Sequence, residues 1–252
     1  MGISSSDQEY KEGFDLLSER TDEYGKLLRL ILNRVLPNLP SKSTFLDVGA
    51  GRGNLALGLS IYFANTVIVE PNQIYCDELS NKIMQLGNKV ISYAAPLQDV
   101  DLDEHTFDLI LCAHVLYYVD PEQRTAFLSK LINSLSPQGR MVLVSVSKKS
   151  KINMLYRRFL QPNDIKNIPY SETLIDLLKL FKCELEIISL ECSISVVTAD
   201  EFSRIVSFLV PLPKTQQLEK HEQALAVASY FKTKSGYCIT NWEYAIVLKH
   251  TE

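Results

Sequence analysis

Asp47, Gly49, Gly51, Gly53 and Glu70 are the residues of this chain whose types and spacing most directly imply chemistry. The run Thr44-Phe45-Leu46-Asp47-Val48 reads as a short buried strand. It ends in Gly49-Ala50-Gly51-Arg52-Gly53, and a helical pattern opens at Asn54. Glycines there allow φ > 0 and let a ligand approach main-chain N–H groups that a Cβ would block. The next apolar run, 66–69, ends in Glu70, which puts a carboxylate where a ribose diol could donate its two hydrogen bonds. A strand, a glycine turn, a helix and an acid-tipped second strand make a nucleoside-binding half-sheet. A dinucleotide fingerprint is G-x-G-x-x-G, whereas the spacing here is G-x-G-x-G with an acid two residues upstream, which disfavours a dinucleotide oxidoreductase.

The elements that must hold these residues follow from periodicity. Strands are expected near 44–48, 66–70, 89–94, 107–113 and 140–146, with helices near 54–64, 72–86 and 121–135 between them. Pro137-Gln138-Gly139 is expected to turn the chain into the fifth strand. A helix from Ser171, as N-cap, to Phe181 precedes a strand near 184–190, and Tyr237 to Lys249 reads as a terminal edge or antiparallel strand. The fold class is therefore α/β, a Rossmann-like seven-stranded sheet. At the start of the chain Tyr10, Phe14, Leu17, Thr21, Tyr24, Leu28, Ile31 and Val35 recur at spacings of four and three. They mark an amphipathic helical cap that Gly25 bends or splits and that Pro37 and Pro40 end. An extra block, 199–233, with helical patterns around Pro211 and Pro213, stands where a minimal sheet needs only a turn. It and the N-terminal helices are expected to form a lid over the ligand crevice. The expected organisation is one domain: cap 1–40, cofactor core 41–147, substrate-side segments 148–235 and terminal strand 236–252.

Asp47 with the G-x-G-x-G turn and Glu70 resembles the cofactor loop of class I S-adenosyl-L-methionine (SAM) methyltransferases. The resemblance implies that Asp47 helps hold the methionine end, that Gly49, Gly51 and Gly53 face the cofactor, and that Glu70 takes the ribose hydroxyls. It continues through Phe107 to Val119, which looks like the family's fourth strand and following turn, and through Leu128 to Val144. In place of the family's adenine-reading acid after the third strand stands Ala94-Ala95-Pro96-Leu97-Gln98. The cofactor contacts implied there are Pro96 and Leu97, with Gln98 or backbone reading adenine, and Ala113 beyond the fourth strand.

Within that class the chain resembles the histamine N-methyltransferase group over nearly its whole length. Tyr10-Lys11-Glu12-Gly13-Phe14 and Thr21-Asp22-Glu23 are similar to that group's first helices, which implies that Tyr10 and Phe14 line a substrate pocket and Glu23 bonds the substrate. Val69-Glu70-Pro71 matches its ribose-binding strand end, and Leu116-Tyr117-Tyr118-Val119 its substrate-side turn, whose tyrosines wall the pocket. Tyr156, Phe208 and Asn241 fall at further substrate positions. His114 stands where the group has a substrate-holding Gln, and Ile152 where it has a pocket Trp. These departures put histamine itself in doubt and leave a small polar acceptor, an amine or imidazole, as the expected substrate.

The residues themselves leave alternatives open. Glu23 reads as a solvated helix acid or as a pocket carboxylate at the border of an apolar stripe. Tyr117 and Tyr118 directly follow a buried strand, at the crevice of an open α/β sheet, and adjacent tyrosines point different ways. Aromatics around one carboxylate would suit an organic cation. His114 reads as a satisfied core histidine, a substrate hydrogen-bond partner or a general base, with an unperturbed pKa of about 6.5. On the methyltransferase reading Glu23, His114 and Asn241 form the catalytic set, Glu23 and Asn241 as orienting groups and His114 as orienting group or base.

Composition excludes several classes. With 252 residues, 46% of them hydrophobic, the chain can bury one large core. A net charge of −4 and no appended basic module or Asn-Pro-Pro-Tyr-type tetrapeptide argue against nucleic acid as partner. Five scattered cysteines without a CxxC pair suggest reduced thiols of a cytoplasmic protein, and four distant histidines offer no metal-ligand spacing, so no metal is expected. No apolar run reaches membrane-spanning length. Met1 to Ser6 matches an N-myristoylation pattern, but Asp7 and Glu9 follow rather than basic residues, and no stable membrane association is expected. A monomer is expected. Lys148, Lys149, Lys151, Arg157 and Arg158 would suit a carboxylic acid substrate, or equally form a solvated helix face. Carboxyl O-methylation and SAM binding without catalysis are the alternatives to amine methylation.

Overall fold

The computed structural model describes residues 5–102, 105–210 and 224–251, with side chains from Lys11 onward. The myristoylation pattern at its start, the Tyr10 side chain and Pro211 and Pro213 lie outside what is described. The strands are β1 (Thr44–Val48), β2 (Asn65–Val69), β3 (Lys89–Tyr93), β4 (Phe107–Ala113), β5 (Leu135–Val146), β6 (Cys183–Val196), β7 (Lys232–Thr233) and β8 (Gly236–His250). The α-helices include α1 (Ser5–Arg20), α2 (Glu23–Leu30), α3 (Ala56–Ser60), α4 (Gln73–Gln85), α5 (Arg124–Asn133), α6 (Ile152–Phe159), α7 (Pro162–Lys166), α8 (Ser171–Leu178) and α9 (Ala199–Leu209). These elements group into two compact units. The sheet unit takes the described residues of Gly25–Ser147, Pro169–Leu190 and Glu243–Glu252, and the helical unit those of Met1–Tyr24, Lys148–Ile168 and Glu191–Trp242.

The strand order is β3-β2-β1-β4-β5-β8-β6, with β7 paired to β8 off this path. β1 to β5 pair in parallel, and β8 runs antiparallel to β5. This is the expected seven-strand sheet with a two-residue β7 added. In β1, β2 and β4 all but the first or last residue are buried, as parallel strands covered on both faces must be. The core they form with Phe127, Leu131, Leu143, Leu174 and Ile246 is continuous. Strand order reverses between β1 and β4, so a crevice opens outside the carboxyl ends of those two strands. At the opposite end Asp108 closes the sheet, accepting hydrogen bonds from Ser43 N (2.6 Å), Thr44 N (3.2 Å), Ser41 Oγ (2.9 Å) and Ser136 Oγ (3.1 Å).

Several boundaries depart from the sequence reading, each for a physical reason. The N-terminal helical run breaks at Thr21–Asp22, and Gly25 lies inside α2. Asp22 accepts bonds from Ser193 N (2.8 Å) and Ser193 Oγ (2.9 Å), and Thr21 bridges Ile194, so a tertiary contact sets the break. The expected 54–64 helix shrinks to α3, because Phe63 turns in to stack on Phe45 with centroids 5.4 Å apart. Pro137-Gln138-Gly139 is not a turn before the strand but an irregularity within β5. Phe107 pairs with Leu135, yet Leu109 pairs with Arg140. Ser171 does not cap α8; it is the first helical residue, and its hydroxyl bonds the Ser145 carbonyl at 2.5 Å.

In the helical unit α9 begins with a capping box, Thr198 Oγ1 accepting the Glu201 amide at 3.1 Å while Glu201 accepts the Thr198 amide at 3.4 Å. Glu201 also holds Arg20 at 2.5 Å, tying α9 to α1. Gly13 permits that approach, since a Cβ there would sit 2.9 Å from Phe208 Cβ. Among the described residues, no helix is long and apolar enough to cross a membrane.

Candidate functional site

The glycine turn takes the backbone that its sequence implies. Gly49, Gly51 and Gly53 have φ of 69°, 53° and 81°, in the left-handed region that a Cβ disfavours. At Gly49 a Cβ would fall 2.4 Å from Val115 Cγ2, and at Gly53 2.2 Å from Leu79 Cδ1. The turn is therefore wedged between the β4 exit and α4. The Gly49 amide bonds the Val69 carbonyl at 2.7 Å, which sews the turn to the end of β2.

Glu70 closes the loop from the other side. Its Oε2 accepts the Gly51 amide and its Oε1 the Asn72 amide, both at 2.8 Å. A carboxylate has about four lone-pair sites, so two remain for a diol. Asn72 then caps α4 by accepting from Ile74 N and Tyr75 N. Asp47 and Glu70 are buried, 4% and 8% exposed. Burial holds the Asp47 carboxyl well above the usual carboxylate range, and the Glu70 charge pushes it further. Burial also raises Glu70, against the pull of its two backbone donors. Two buried acids whose ionised forms are penalised suit a ligand that brings positive charge. The sulfonium and ammonium of SAM are such charges, and its ribose diol fits the open Glu70 lone pairs. These residues fit that cofactor.

The remaining cofactor candidates are placed less uniformly. Pro71 and Pro96 are exposed and Ala113 is half-buried. Leu97 is 2% exposed and packs in the main core. That stretch is pinned by Lys130 of α5, whose ammonium donates to the carbonyls of Leu97 (2.8 Å), Gln98 (3.5 Å) and Val100.

Where β4 ends, the chain makes an unusual turn. β1 pairs with β4 so that Val48 faces Cys112, which brings Gly49 beside Ala113 and the turn after it. His114 follows with φ 58°, the sole non-glycine with positive φ among the described residues. That conformation costs an L-residue about 1–2 kcal/mol, and it persists because its surroundings fix it. The His114 amide bonds the Val144 carbonyl at 3.1 Å. Its Nε2 lies 2.8 Å from Glu243 Oε2, and its ring stacks on Tyr117 at 6.0 Å and 17°. Glu243 reaches it because β5 pairs Val146 with Glu243, one position beyond Ser145 and Tyr244. The Glu243 side chain is 2% exposed and the imidazole 29%.

Tyr117 is anchored behind that ring. Its hydroxyl accepts the Val146 amide at 3.1 Å and meets Ser145 Oγ at 3.2 Å, while Ser145 Oγ also bonds the Pro169 carbonyl at 2.5 Å. Burial raises the phenol above its ordinary value. Tyr118 instead is 66% exposed, so of the two adjacent tyrosines only Tyr117 turns inward.

The helical unit holds the other candidates. Phe14 and Phe208 meet, with centroids 5.9 Å apart. Glu23, at the start of α2, is 8% exposed, so it is no solvated helix acid; its amide bonds Thr21 Oγ1 at 3.2 Å. Asn241 on β8 is 4% exposed and its Oδ1 accepts the Ser150 hydroxyl, which in turn accepts the Ile152 amide that opens α6. Tyr156, on α6, is 6% exposed. Sequence reasoning missed Glu243 and Lys130. Strand alternation puts Glu243 on the same face as Asn241, two residues on, and that was the available signal.

Residues 19–186 match the family model described as a methyltransferase domain. Among curated proteins, the ubiquinone biosynthesis O-methyltransferase of Rickettsia felis is 23% identical, over 65% of this chain and 78% of its own length. The carboxy-S-adenosyl-L-methionine synthase of Wolinella succinogenes is 25% identical over 51% of this chain, which spans 55% of that protein. Among solved structures, the N-methyltransferase NodS from Bradyrhizobium japonicum in complex with S-adenosyl-L-homocysteine superposes with a TM-score of 0.57 at 17% identity. That likeness covers 92% of this chain and 87% of the other, and it speaks for the fold.

Proposed function

This chain belongs to the methyltransferase domain family and takes S-adenosyl-L-methionine as its cofactor, and we propose that it methylates a nitrogen of a small amine or imidazole compound. The cofactor supplies an electrophilic methyl group, so the acceptor must present a lone pair. The single observation that carries the reading is the His114–Glu243 pair, 2.8 Å apart, with His114 in the turn packed on the glycine loop and Glu243 on β8. An alkyl ammonium, with a pKa of about 10, has no lone pair at neutral pH until a base removes a proton. His114 is that base, and Glu243 is the charge that balances the imidazolium. A carboxylate acceptor would need no base and would be repelled by a buried Glu243, so carboxyl O-methylation fits worse. The acceptor-holding roles fall to Glu23 and Asn241 as polar contacts, with Tyr10, Phe14, Tyr156 and Phe208 as walls, as the histamine N-methyltransferase resemblance implies. The basic run Lys148 to Arg158 is left to the solvated surface.

A second reading is O-methylation of a phenol. It is favoured by the O-methyltransferase of Rickettsia felis among the relatives, and a phenol, with a pKa of about 10, would use the same base. The deciding experiment incubates the protein with methyl-labelled SAM and, separately, histamine, primary alkylamines, catechols and small carboxylic acids, with products identified by mass and NMR. Methyl on nitrogen is the expected result. Methyl on phenolic oxygen alone would replace the reading by the second. Tight SAM binding with no transfer to any acceptor would make the protein a SAM-binding module without turnover.

A further inference from the structure

A second concave surface lies wholly within the sheet unit, away from the cofactor crevice. It is a cavity of about 330 Å³ whose charged lining is Arg34, Arg140, Glu184, Glu186 and Lys249. Small-molecule sites typically span about 300–1,000 Å³. Arg140 stands at the entry to β5, four positions before Val144, which pairs with Ala113 at the exit of β4. Strand rise therefore puts it about 13 Å from the end of β5 that borders the crevice. β5 pairs Met141 with Leu248 and Val142 with Val247, so alternation brings Arg140 to the same face as Val247 and Lys249.

The charges of this cavity do not balance. Arg34 Nη2 meets Glu186 Oε1 at 2.5 Å, and Lys249 Nζ meets Glu184 Oε2 at 2.7 Å, so each acid answers one cation. Arg140 is left over. Its Nη1 donates to the Gln138 and Gly139 carbonyls at 2.9 Å each, and among the described residues no carboxylate pairs with it. Those carbonyls belong to the irregular stretch of β5, which thereby fixes the plane of the guanidinium. A guanidinium has five N–H donors, and the two on Nη1 are spent on backbone. Nε and Nη2 remain, the edge that grips a carboxylate or phosphate through two parallel bonds. The flanking pairs have side chains between 37% and 57% exposed. Exposed ion pairs stabilise little, so an incoming anion can draw Arg34 and Lys249 from their acids at small cost.

We propose that this cavity binds a small organic anion, with the Arg140 fork as the anchor for its carboxylate or phosphate group. Val35, Leu185 and Val247 also line it and take the hydrocarbon body. Three cations against two carboxylates leave one positive charge for the ligand to meet. The site depends neither on the methyl acceptor nor on the chemistry of the crevice.

The test follows the arginine Nε–H signals in 1H–15N spectra at low ionic strength, with the crevice filled by S-adenosyl-L-homocysteine. Arg140→Lys assigns the Arg140 signal by difference. The probes are phenyl phosphate and benzoate, with inorganic phosphate and acetate as counterparts that lack the ring. Phenyl phosphate or benzoate is expected to shift the Arg140 signal saturably, with a Kd of about 1 mM or below, and the tighter of the two names the anionic group. By calorimetry, Arg140→Lys, which keeps the charge and loses the fork, should weaken binding about tenfold. Arg140→Gln should weaken it roughly 10- to 100-fold. The double variant Glu184→Gln, Glu186→Gln releases Lys249 and Arg34 and should tighten binding. Absence of a saturable shift with either aryl anion overturns the proposal. So does inorganic phosphate or acetate binding as tightly as its aryl counterpart, which would mark an adventitious ion only. If the Arg140 variants do not fold, the double variant decides, and an affinity there that is unchanged or weaker overturns the proposal. Methyl transfer enters none of these outcomes, so failure of the amine reading leaves the site standing.

Discussion

Glu70 Oε2 accepts the Gly51 amide at 2.8 Å, so the tip of the second strand holds the middle of the glycine turn. The group proposed to take the ribose hydroxyls also shapes the loop beside them. Glu70→Gln keeps one acceptor oxygen but presents an amide donor to either Gly51 N or Asn72 N. Losing a charge-assisted bond at a buried site costs about 1.5–3 kcal/mol, so SAM affinity by calorimetry should fall roughly 10- to 100-fold. Amide exchange at Gly51 and Asn72 should speed up in the SAM-free variant. Weaker binding with unchanged exchange would separate the two roles and refute the coupling.

Asp47 makes stability and cofactor affinity move in opposite directions with pH. Burial raises its carboxyl well above the usual range, and Glu70 adds to the shift. A carboxylate whose folded pKa is raised favours the protonated folded state. Its contribution is therefore fully present below the unfolded value of about 3.9 and is lost as pH rises through the folded pKa. Asp47→Asn should raise the melting temperature of the SAM-free protein at pH 7.5, and the gain should shrink as pH is lowered toward 4. Affinity for the cationic cofactor should follow the reverse course in the wild type, falling as Asp47 protonates. A melting difference independent of pH would mean that Asp47 is not penalised by ionisation.

Gly49 carries two separable constraints, its φ of 69° and the Val115 methyl 2.4 Å from where a Cβ would be. Gly49→Ala should destabilise the protein by about 2–5 kcal/mol, the sum of a left-handed penalty and overpacking. Val115→Ala in the same chain should recover the steric part and leave about 1–2 kcal/mol. Denaturant melts of the single and double variants read this directly, and full recovery would show that φ is not a constraint there.

Lys130 holds the segment after β3 through three carbonyls. Lys130→Met removes their donor, and hydrogen bonds to charged groups are worth about 1.5–3 kcal/mol each. Part of that is regained because these carbonyls can turn to water. The expected result is a melting temperature lower by several degrees and weaker SAM binding, with Lys130→Arg intermediate. An unchanged SAM affinity would free the 96–100 segment from any cofactor role.

What the sequence made legible was local. The glycine turn, Glu70 and the buried runs of β1, β2 and β4 are visible because their residue types answer to constraints within a few positions. Sequence alone places the bend or split of the N-terminal helical run at Gly25, whereas the break depends on Ser193 and Ile194, far along the chain. Propensity favoured the glycine, and a tertiary contact overrode it. The inward turn of Tyr117 is decided by Ser145 and Val146. His114 was visible as a chemical candidate, but its partner was not, because only the antiparallel register of β8 on β5 brings Glu243 to it.

The place of β8 between β5 and β6 also orders events during synthesis. The edge of β5 from Met141 to Val146 is completed only by Glu243 to Leu248, and β6 sits beyond it. Domains begin to fold as they leave the ribosome, N-terminal part first, so β1 to β5 can assemble while that edge is still bare. β6 emerges with its proper neighbour not yet made. For the translation of about fifty residues the nascent chain carries two open strand edges, each a template for wrong pairing. A ribosome paused within that window would hold the chain in the state a chaperone is most suited to cover.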